Sequence, residues 1–251
     1  MEKKIFLQLR ANALETARKI RSPSFYAAHE SELASSFDYF SGSTVIQKCR
    51  SYVDRAVLHP AHGVDHCEKV ALEAGAIVQI EYKNRGLTGI DVSDLLLCVH
   101  LAGLLHDIKR MEQDHTIAGS IEAERILNGF ELNNRYRKYI TAAIRNHEAF
   151  KEVQASEDEP ARIISDALYD ADKFRWGPDN FITTVWLIME STGTPVAKLY
   201  NSFDKKIRGI RKIKNTFRTE IGRQYGPEFI DLGIEIGSAI YKDMQDIMKT
   251  A

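Results

Sequence analysis

Apolar residues recur every three or four positions along most of the chain, and no segment shows a convincing alternation of apolar and polar residues. This periodicity predicts an all-α protein. The predicted helices span 2–20, 44–58, 62–83, 92–107, 115–129, 133–148, 160–174, 179–190, 195–224 and 227–249. Gly86 and Gly89 mark a loop before Asp91, a favourable N-cap, and Pro178 and Pro195 stand just inside helix starts.

The length of 251 residues is that of one large domain, and no internal repeat, low-complexity tract or linker divides the chain. Its hydrophobic content of 44% is ordinary for a globular protein with a real core. We therefore expect a single domain with a central helical bundle at about 58–190. Helical extensions at 1–42 and 195–251 are expected to pack on it.

Charge and cysteine content narrow the protein class. The net charge of -1 and the pI of about 6.7 give no push toward nucleic acid or an anionic membrane. The longest apolar run, Leu95 to Leu105, is too short to span a bilayer, and no signal peptide is evident, so we expect a cytoplasmic protein without a membrane partner. Cys49, Cys67 and Cys98 form no CxxC pair, which argues against disulfides and a cysteine-rich zinc site.

Metal-ligand side chains stand where the helix predicted at 92–107 ends. His106 and Asp107 directly follow the apolar run, where a buried charge or an unpaired imidazole is costly unless something compensates it. The helix dipole also disfavours an acid at this end. A divalent cation would compensate both. Imidazole nitrogen with carboxylate oxygen suits Mn²⁺, Fe²⁺, Co²⁺, Ni²⁺ or Zn²⁺, and Mg²⁺ less well.

Further potential ligands lie upstream and downstream of the doublet. His62 and His66 are four residues apart and would share one face of a helix. Asp172 stands in the segment Asp-Ala-Asp-Lys at 170–173. The simplest interpretation is that His66, His106, Asp107 and Asp172 hold one metal ion inside a helical bundle.

Three short motifs together resemble the HD-domain superfamily of metal-dependent phosphohydrolases, whose pattern is a histidine, a His-Asp doublet and a later aspartate. The motifs are His66-Cys67-Glu68-Lys69-Val70, Leu104-Leu105-His106-Asp107-Ile108 and Ala171-Asp172-Lys173-Phe174. The resemblance covers about residues 58–190 and implies an all-helical core with His66, His106, Asp107 and Asp172 as metal ligands. Asp170 and Asp166 compete for the last role, but the Ala-Asp-Lys-Phe context favours Asp172. Asp170 is then expected to support the ligands or to lie on the surface.

The resemblance also implies residues for the chemistry beside the metal. Some HD nucleotide hydrolases are similar in placing a catalytic histidine near His115, although this residue also fits a simple helix start. Dinuclear members bind a second metal through a histidine in the region of His147, which here could do that, donate to phosphate, or interact with free helix carbonyls. We favour one tightly held metal, with a possible second one recruited by substrate phosphates.

Cationic side chains flank the proposed ligands and are candidates for substrate binding together with His62. They are Lys109, Arg110, Lys173 and Arg175. Each could bind phosphate, although some are expected only to solvate helix ends. Trp176 follows directly, and its ring is expected to pack rather than to close a pocket.

The segment 198–223 is a basic amphipathic helix. Its basic residues are Lys198, Lys205, Lys206, Arg208, Arg211, Lys212, Lys214, Arg218 and Arg223, opposed by Asp204 and Glu220. Apolar residues recur at helical spacing at Leu199, Phe203, Ile207, Ile210, Ile213 and Phe217. A solvated polar face is the favoured interpretation, and a surface for an anionic partner is the alternative.

The working hypothesis is a metal-dependent phosphohydrolase that acts on a small phosphorylated metabolite, with a nucleotide favoured by family analogy. Asp107 would fix the metal that activates water, and His115 or His147 would assist the leaving group. One alternative is a di-iron oxygenase on the same fold, which requires both histidines as ligands. The other is a non-enzymatic sensor that binds a nucleotide or nucleic acid through the basic helix. The long terminal helices permit a homodimer.

Overall fold

The computed structural model describes residues 2–56 and 59–250, and this part of the chain is helical and contains no strand. The all-α prediction is therefore confirmed. The helices are α1 (Glu2–Lys19), α2 (Ser24–Ala28), α3 (Glu30–Gly42), α4 (Thr44–Arg55), α5 (Val64–Arg85), α6 (Val92–Leu105), α7 (His115–Leu127), α8 (Asn134–Arg145), α9 (Glu159–Phe174), α10 (Val185–Thr192), α11 (Val196–Ile213) and α12 (Glu220–Thr250). A π-helical turn, Asn180–Thr184, runs directly into α10.

The helix α5 is buried over most of its length and packs against α3, α6 and α9, while α8 packs against α6, α7 and α9. The backbones of α5 and α6 approach closely at Gly103. A Cβ atom at Gly103 would lie 2.5 Å from the Cα of Ala71, so only glycine fits there. This close approach holds the first turn of α5 beside the C-terminal end of α6, which is where the candidate site lies.

The C-terminal helices differ from the prediction. The helix predicted at 195–224 ends at Ile213, and the last helix begins at Glu220 and continues through Pro227. The carboxylate of Asp170 on α9 accepts hydrogen bonds from the backbone N–H groups of Arg218 and Thr219, each at 2.8 Å. These two long-range hydrogen bonds hold the segment 214–219 between the two helices, whereas the sequence pattern had predicted the break between 224 and 227.

The N-terminal segment contains two helices, α2 and α3, for which the sequence pattern predicted no boundaries. The apolar residues of α3 are sparse, and the helix is held by packing on α5, where Ser36 donates to the carbonyl of Leu72 at 2.8 Å. Tertiary contacts therefore stabilise a segment with weak helical periodicity.

The terminal helices pack on one another and on the centre, with α12 contacting α1, α9 and α11. The apolar face predicted for the basic segment is buried, because Leu199, Phe203, Ile207, Ile210, Ile213 and Phe217 are all in the core. Cys49, Cys67 and Cys98 are buried free thiols. Among the described residues, no helix is both long enough and apolar enough to cross a bilayer.

Candidate metal centre

Helix ends from four parts of the chain meet at one buried cluster of imidazoles and carboxylates, called here the His/Asp cluster. Its members are His62, His66, His106, Asp107, His147 and Asp172. They fall into three overlapping groups of three whose ligand atoms lie within 4.8 Å of one another. The four residues predicted as metal ligands are all in this cluster.

His62 reaches the cluster in a different way from the one predicted. It lies in the turn before α5, which begins at Val64, so His62 and His66 are not on one helix. Their rings are nevertheless 4.8 Å apart, and Nδ1 of His62 lies 2.8 Å from Oδ2 of Asp107. His62 is therefore placed as a potential metal ligand, in addition to the substrate-binding role predicted for it.

The central part of the cluster has the spacing that a bound cation needs. Nε2 of His66 and Nε2 of His106 are 3.2 Å apart. Oδ1 of Asp172 lies 3.5 Å from the first of these atoms and 3.8 Å from the second. Ligand atoms about 2.1 Å from a shared metal are roughly 3.0–3.4 Å from each other. The His66–His106 separation lies in this range, and the two separations to Asp172 are slightly longer, so a small inward shift of Asp172 would complete a site for one ion.

Asp107 faces imidazoles with both of its oxygens. Oδ2 lies 3.4 Å from Nε2 of His106 and 3.7 Å from Nε2 of His66. Oδ1 lies 3.5 Å from Nε2 of His147 and 3.9 Å from Nε2 of His115. Within the described part of the chain, buried Oδ1 has no hydrogen-bond partner. An orphaned carboxylate oxygen among imidazole nitrogens fits a cation as its partner.

Backbone carbonyls fix how two of the histidines face the cluster. Nδ1 of His106 donates to the carbonyl of Gly103 at 2.8 Å, and Nδ1 of His147 donates to the carbonyl of Ile144 at 2.6 Å. In each neutral ring, Nε2 then carries the lone pair and points toward Asp107. Such hydrogen bonds orient metal-binding histidines in proteins generally.

The protonation states largely suit metal binding. Burial lowers the pKa of His66 and of His115, each to about 4, and also lowers the pKa of His147. Burial alone would raise the pKa of Asp107, but neighbouring imidazoles, His106 foremost, hold it well below its usual range. Neutral imidazole and ionised carboxylate are the forms that bind metals. Burial alone would lower the pKa of His106, but the neighbouring Asp107 carboxylate raises it overall. A cation that binds Nε2 of His106 would therefore displace a proton from this ring.

The two cations nearest the cluster already have partners in it or beside it. Lys173 Nζ contacts the Asp172 carboxylate and donates to the carbonyl of His147 at 2.9 Å. Nη1 of Arg110 donates to Nε2 of His115 at 2.7 Å. Arg110 thereby occupies the lone pair that His115 would offer to a metal, and it brings a positive charge to the wall of the site.

The other predicted substrate-binding cations are placed differently. Arg175 is buried and forms ion pairs with Glu73 and Asp179, although it also lines the cavity at the cluster. Lys109 is not brought to the cluster, since it pairs with Glu112 at 3.1 Å and lines a separate hollow. Trp176 lines the cavity and is 36% exposed, so its ring is not fully packed.

The two rival aspartates lie elsewhere. Asp170 is fully buried, which excludes the surface position considered for it, and it caps the start of the segment that leads into α12. Burial raises the pKa of Asp170 to about 7. Asp166 neither lines the cavity nor belongs to any of the three ligand groups.

The cluster opens on a cavity of about 660 Å³, within the range of small-molecule sites. Its remaining wall comes from the π-helical turn, α10, α11 and α12, and much of it is apolar. The sequence pattern predicted no cavity here, because helical periodicity does not distinguish a cavity wall from a packed face. The loop after His147 also lines the cavity through Phe150.

No family model, curated protein or solved structure matches this chain. The resemblance to the HD-domain superfamily therefore remains a hypothesis that is based on the three motifs. What the described residues establish is an all-α fold in which buried histidines and aspartates could hold a metal ion beside a cavity.

Proposed function

We propose that this protein is a metal-dependent phosphohydrolase that acts on a small phosphorylated metabolite. The observation that carries the proposal is Oδ1 of Asp107, a buried carboxylate oxygen that has no hydrogen-bond partner among the described residues and faces imidazole nitrogens at the wall of a cavity. In a structural ion pair, each buried carboxylate oxygen normally accepts a hydrogen bond. In a cation site, the oxygens and nitrogens that would bind the ion instead face a shared position without bonding one another.

His66, His106, Asp107 and Asp172 would hold the metal, with His62 and His147 as further potential ligands. A divalent cation bound there supplies a water of lowered pKa and positive charge for the phosphoryl oxygens. Arg110 is the cationic side chain of the cavity lining that contacts His115, and it would bring positive charge to the phosphoryl group. His115 is held in the acceptor form by Arg110, so its ring can take or return a proton at Nε2 only when that hydrogen bond opens.

The test is phosphate release from a panel of nucleotides, sugar phosphates and simple phosphate esters, with Mn²⁺ added to the dialysed protein. Asp107→Asn keeps the side-chain shape and removes the charge, and we expect it to lower turnover by at least about 1000-fold. Asp65→Asn is the matched control, because Asp65 is an exposed aspartate next to His66 that does not line the cavity. Equal turnover in the two variants would refute the proposal.

A di-iron oxygenase is the second candidate, and one observation favours keeping it. Asp107 directs one oxygen to His66 and His106 and the other to His147 and His115, which is the arrangement of a carboxylate that bridges two ions. The hydrogen bond from Arg110 to His115 opposes a second ion at that position. Metal counting on anaerobically prepared protein discriminates, since two irons per chain would support the oxygenase.

The partner predictions are part of this proposal. The proposed substrate is a small phosphorylated molecule rather than a nucleic acid or a membrane. For the sensor alternative, the basic segment would have to bind an anion independently of the cluster. Nucleotide binding that is salt-sensitive and unchanged in Asp107→Asn would favour the sensor over the enzyme.

A further inference from the structure

The cavity beside the His/Asp cluster has a second wall, which we call the apolar chamber. It is formed by Val185, Ile188, Met189, Leu199, Phe203 and Ile240. These residues belong to α10, α11 and α12, which contribute no member of the cluster. One cavity therefore combines a compact polar patch with a hydrocarbon surface contributed by separate elements.

Some of this apolar surface is open to solvent. Ile188 is 37% exposed and Phe150, on the loop after His147, is 65% exposed, although both line the cavity. Phe150 has a backbone φ of 64°, and among the described residues it is the one non-glycine residue with a positive φ. Bulky residues rarely adopt this conformation, and such strain is concentrated at ligand sites. This exposed aromatic ring lines the same cavity as the cluster, so a ligand in the cavity would cover it.

The chemistry of the lining identifies the kind of ligand. The six side chains of the chamber offer no hydrogen-bond partner to a base or a sugar, so a hydrocarbon chain suits them better than a nucleoside does. Polar side chains line other positions of the same cavity, namely Asn180, Thr184, Thr194 and Ser202. Exposed Lys198 and Lys206 also line the cavity, so positive charge lies where the cavity meets solvent. A molecule with an anionic head and a hydrocarbon part would match the cationic and metal-binding groups of the cavity with its head and the apolar chamber with its hydrocarbon part.

We propose that the substrate is an amphiphilic phosphate ester, with its phosphate at the His/Asp cluster and an alkyl or isoprenoid-like chain in the apolar chamber. This proposal rests on the proposed function for the identity of the head group and the reaction. The occupation of the chamber is a binding property, and it can be measured without any turnover.

The experiment is calorimetric binding of n-alkylphosphonates, from methyl to octyl, to the full chain with Mn²⁺ present. These probes keep a phosphate-like head but contain no ester bond to hydrolyse. If the chain enters the chamber, affinity should rise by up to about 4-fold for each methylene that is buried, and stop rising when the chamber is full.

Ser202→Trp tests the location, because Ser202 lines the cavity on α11 and an indole there would fill it. Asn201→Trp is the matched control, since Asn201 is the adjacent exposed residue and does not line the cavity. We expect Ser202→Trp to weaken octylphosphonate binding at least about 10-fold without changing methylphosphonate binding. Asn201→Trp should change neither.

Four results would overturn the proposal, of which three concern relative affinities. They are affinities that stay within about twofold from methyl to octyl, equal losses in the two tryptophan variants, and a nucleoside monophosphate that binds more tightly than octylphosphonate. The absence of binding by any phosphonate would overturn it too. If chain-length dependence is found but no phosphate ester is hydrolysed, the chamber stands and the proposed phosphohydrolase fails. If nucleotides are hydrolysed but affinity does not depend on chain length, the proposed phosphohydrolase stands and the chamber proposal fails.

Discussion

Asp107→Asn should abolish the stabilisation of this protein by divalent metal. The substitution removes one negative charge from a position 2.8 Å from Nδ1 of His62 and 3.4 Å from Nε2 of His106, and it leaves the shape of the side chain unchanged. A carboxylate about 2.1 Å from a dication contributes roughly 4 kcal/mol even with the dielectric constant of bulk water. The dissociation constant of the metal should therefore rise about 1000-fold.

Thermal unfolding measures this loss directly. With Mn²⁺ at about 100 times its dissociation constant, the unchanged protein gains about 2.7 kcal/mol, which is roughly 5–11 °C in Tm for a chain of this size. At the same concentration Asp107→Asn would be almost free of metal and should show no shift. Asp65→Asn should keep the full shift, because Asp65 is exposed and outside the cluster. An equal shift in Asp107→Asn would refute the assignment of Asp107 as a ligand.

Two further predictions concern buried groups outside the cluster. Burial lowers the pKa of His100 to about 3 from 6.5, so protons bind the unfolded chain first and stability falls as the pH drops below about 6.5. In urea titrations the stability advantage of the unchanged protein over His100→Gln should shrink by about 2 kcal/mol between pH 7.5 and 5, and a constant difference would contradict this. Arg175→Met leaves Glu73 buried without its main cationic partner, so it should lower the free energy of unfolding by about 3–5 kcal/mol. Adding Glu73→Leu should restore most of this stability. A double variant no more stable than Arg175→Met would argue against the ion pair.

Local signals were sufficient for much of the fold. The apolar run that ends at Leu105 and the starts near His115 and Glu159 could be predicted because periodicity and capping depend on neighbouring residues. The break at 214–219 could not, because it depends on the carboxylate of Asp170, which is 48 residues from Arg218 in the chain. The prediction instead placed the break between 224 and 227, where the long helix α12 continues without interruption.

The same division applies to the candidate site. The types and order of His66, His106, Asp107 and Asp172 predicted a cluster, because buried imidazoles and carboxylates at these positions need compensation. Their convergence depends on the close approach of α5 and α6 at Gly103, which nothing local in the sequence requires. The position of Lys109 away from the His/Asp cluster likewise depends on the tertiary structure, in which its side chain pairs with Glu112.

The sequence by itself determined the helical class and the chemical types available at the site, because periodicity and residue identity are properties of the chain alone. Only the tertiary structure decided that His62 and His147 join the cluster, that Arg175 is committed to Glu73, and that the apolar faces of α10 and α11 line a cavity. These features are distances between elements far apart in the chain. They are set by the packing of whole helices, which no short segment encodes.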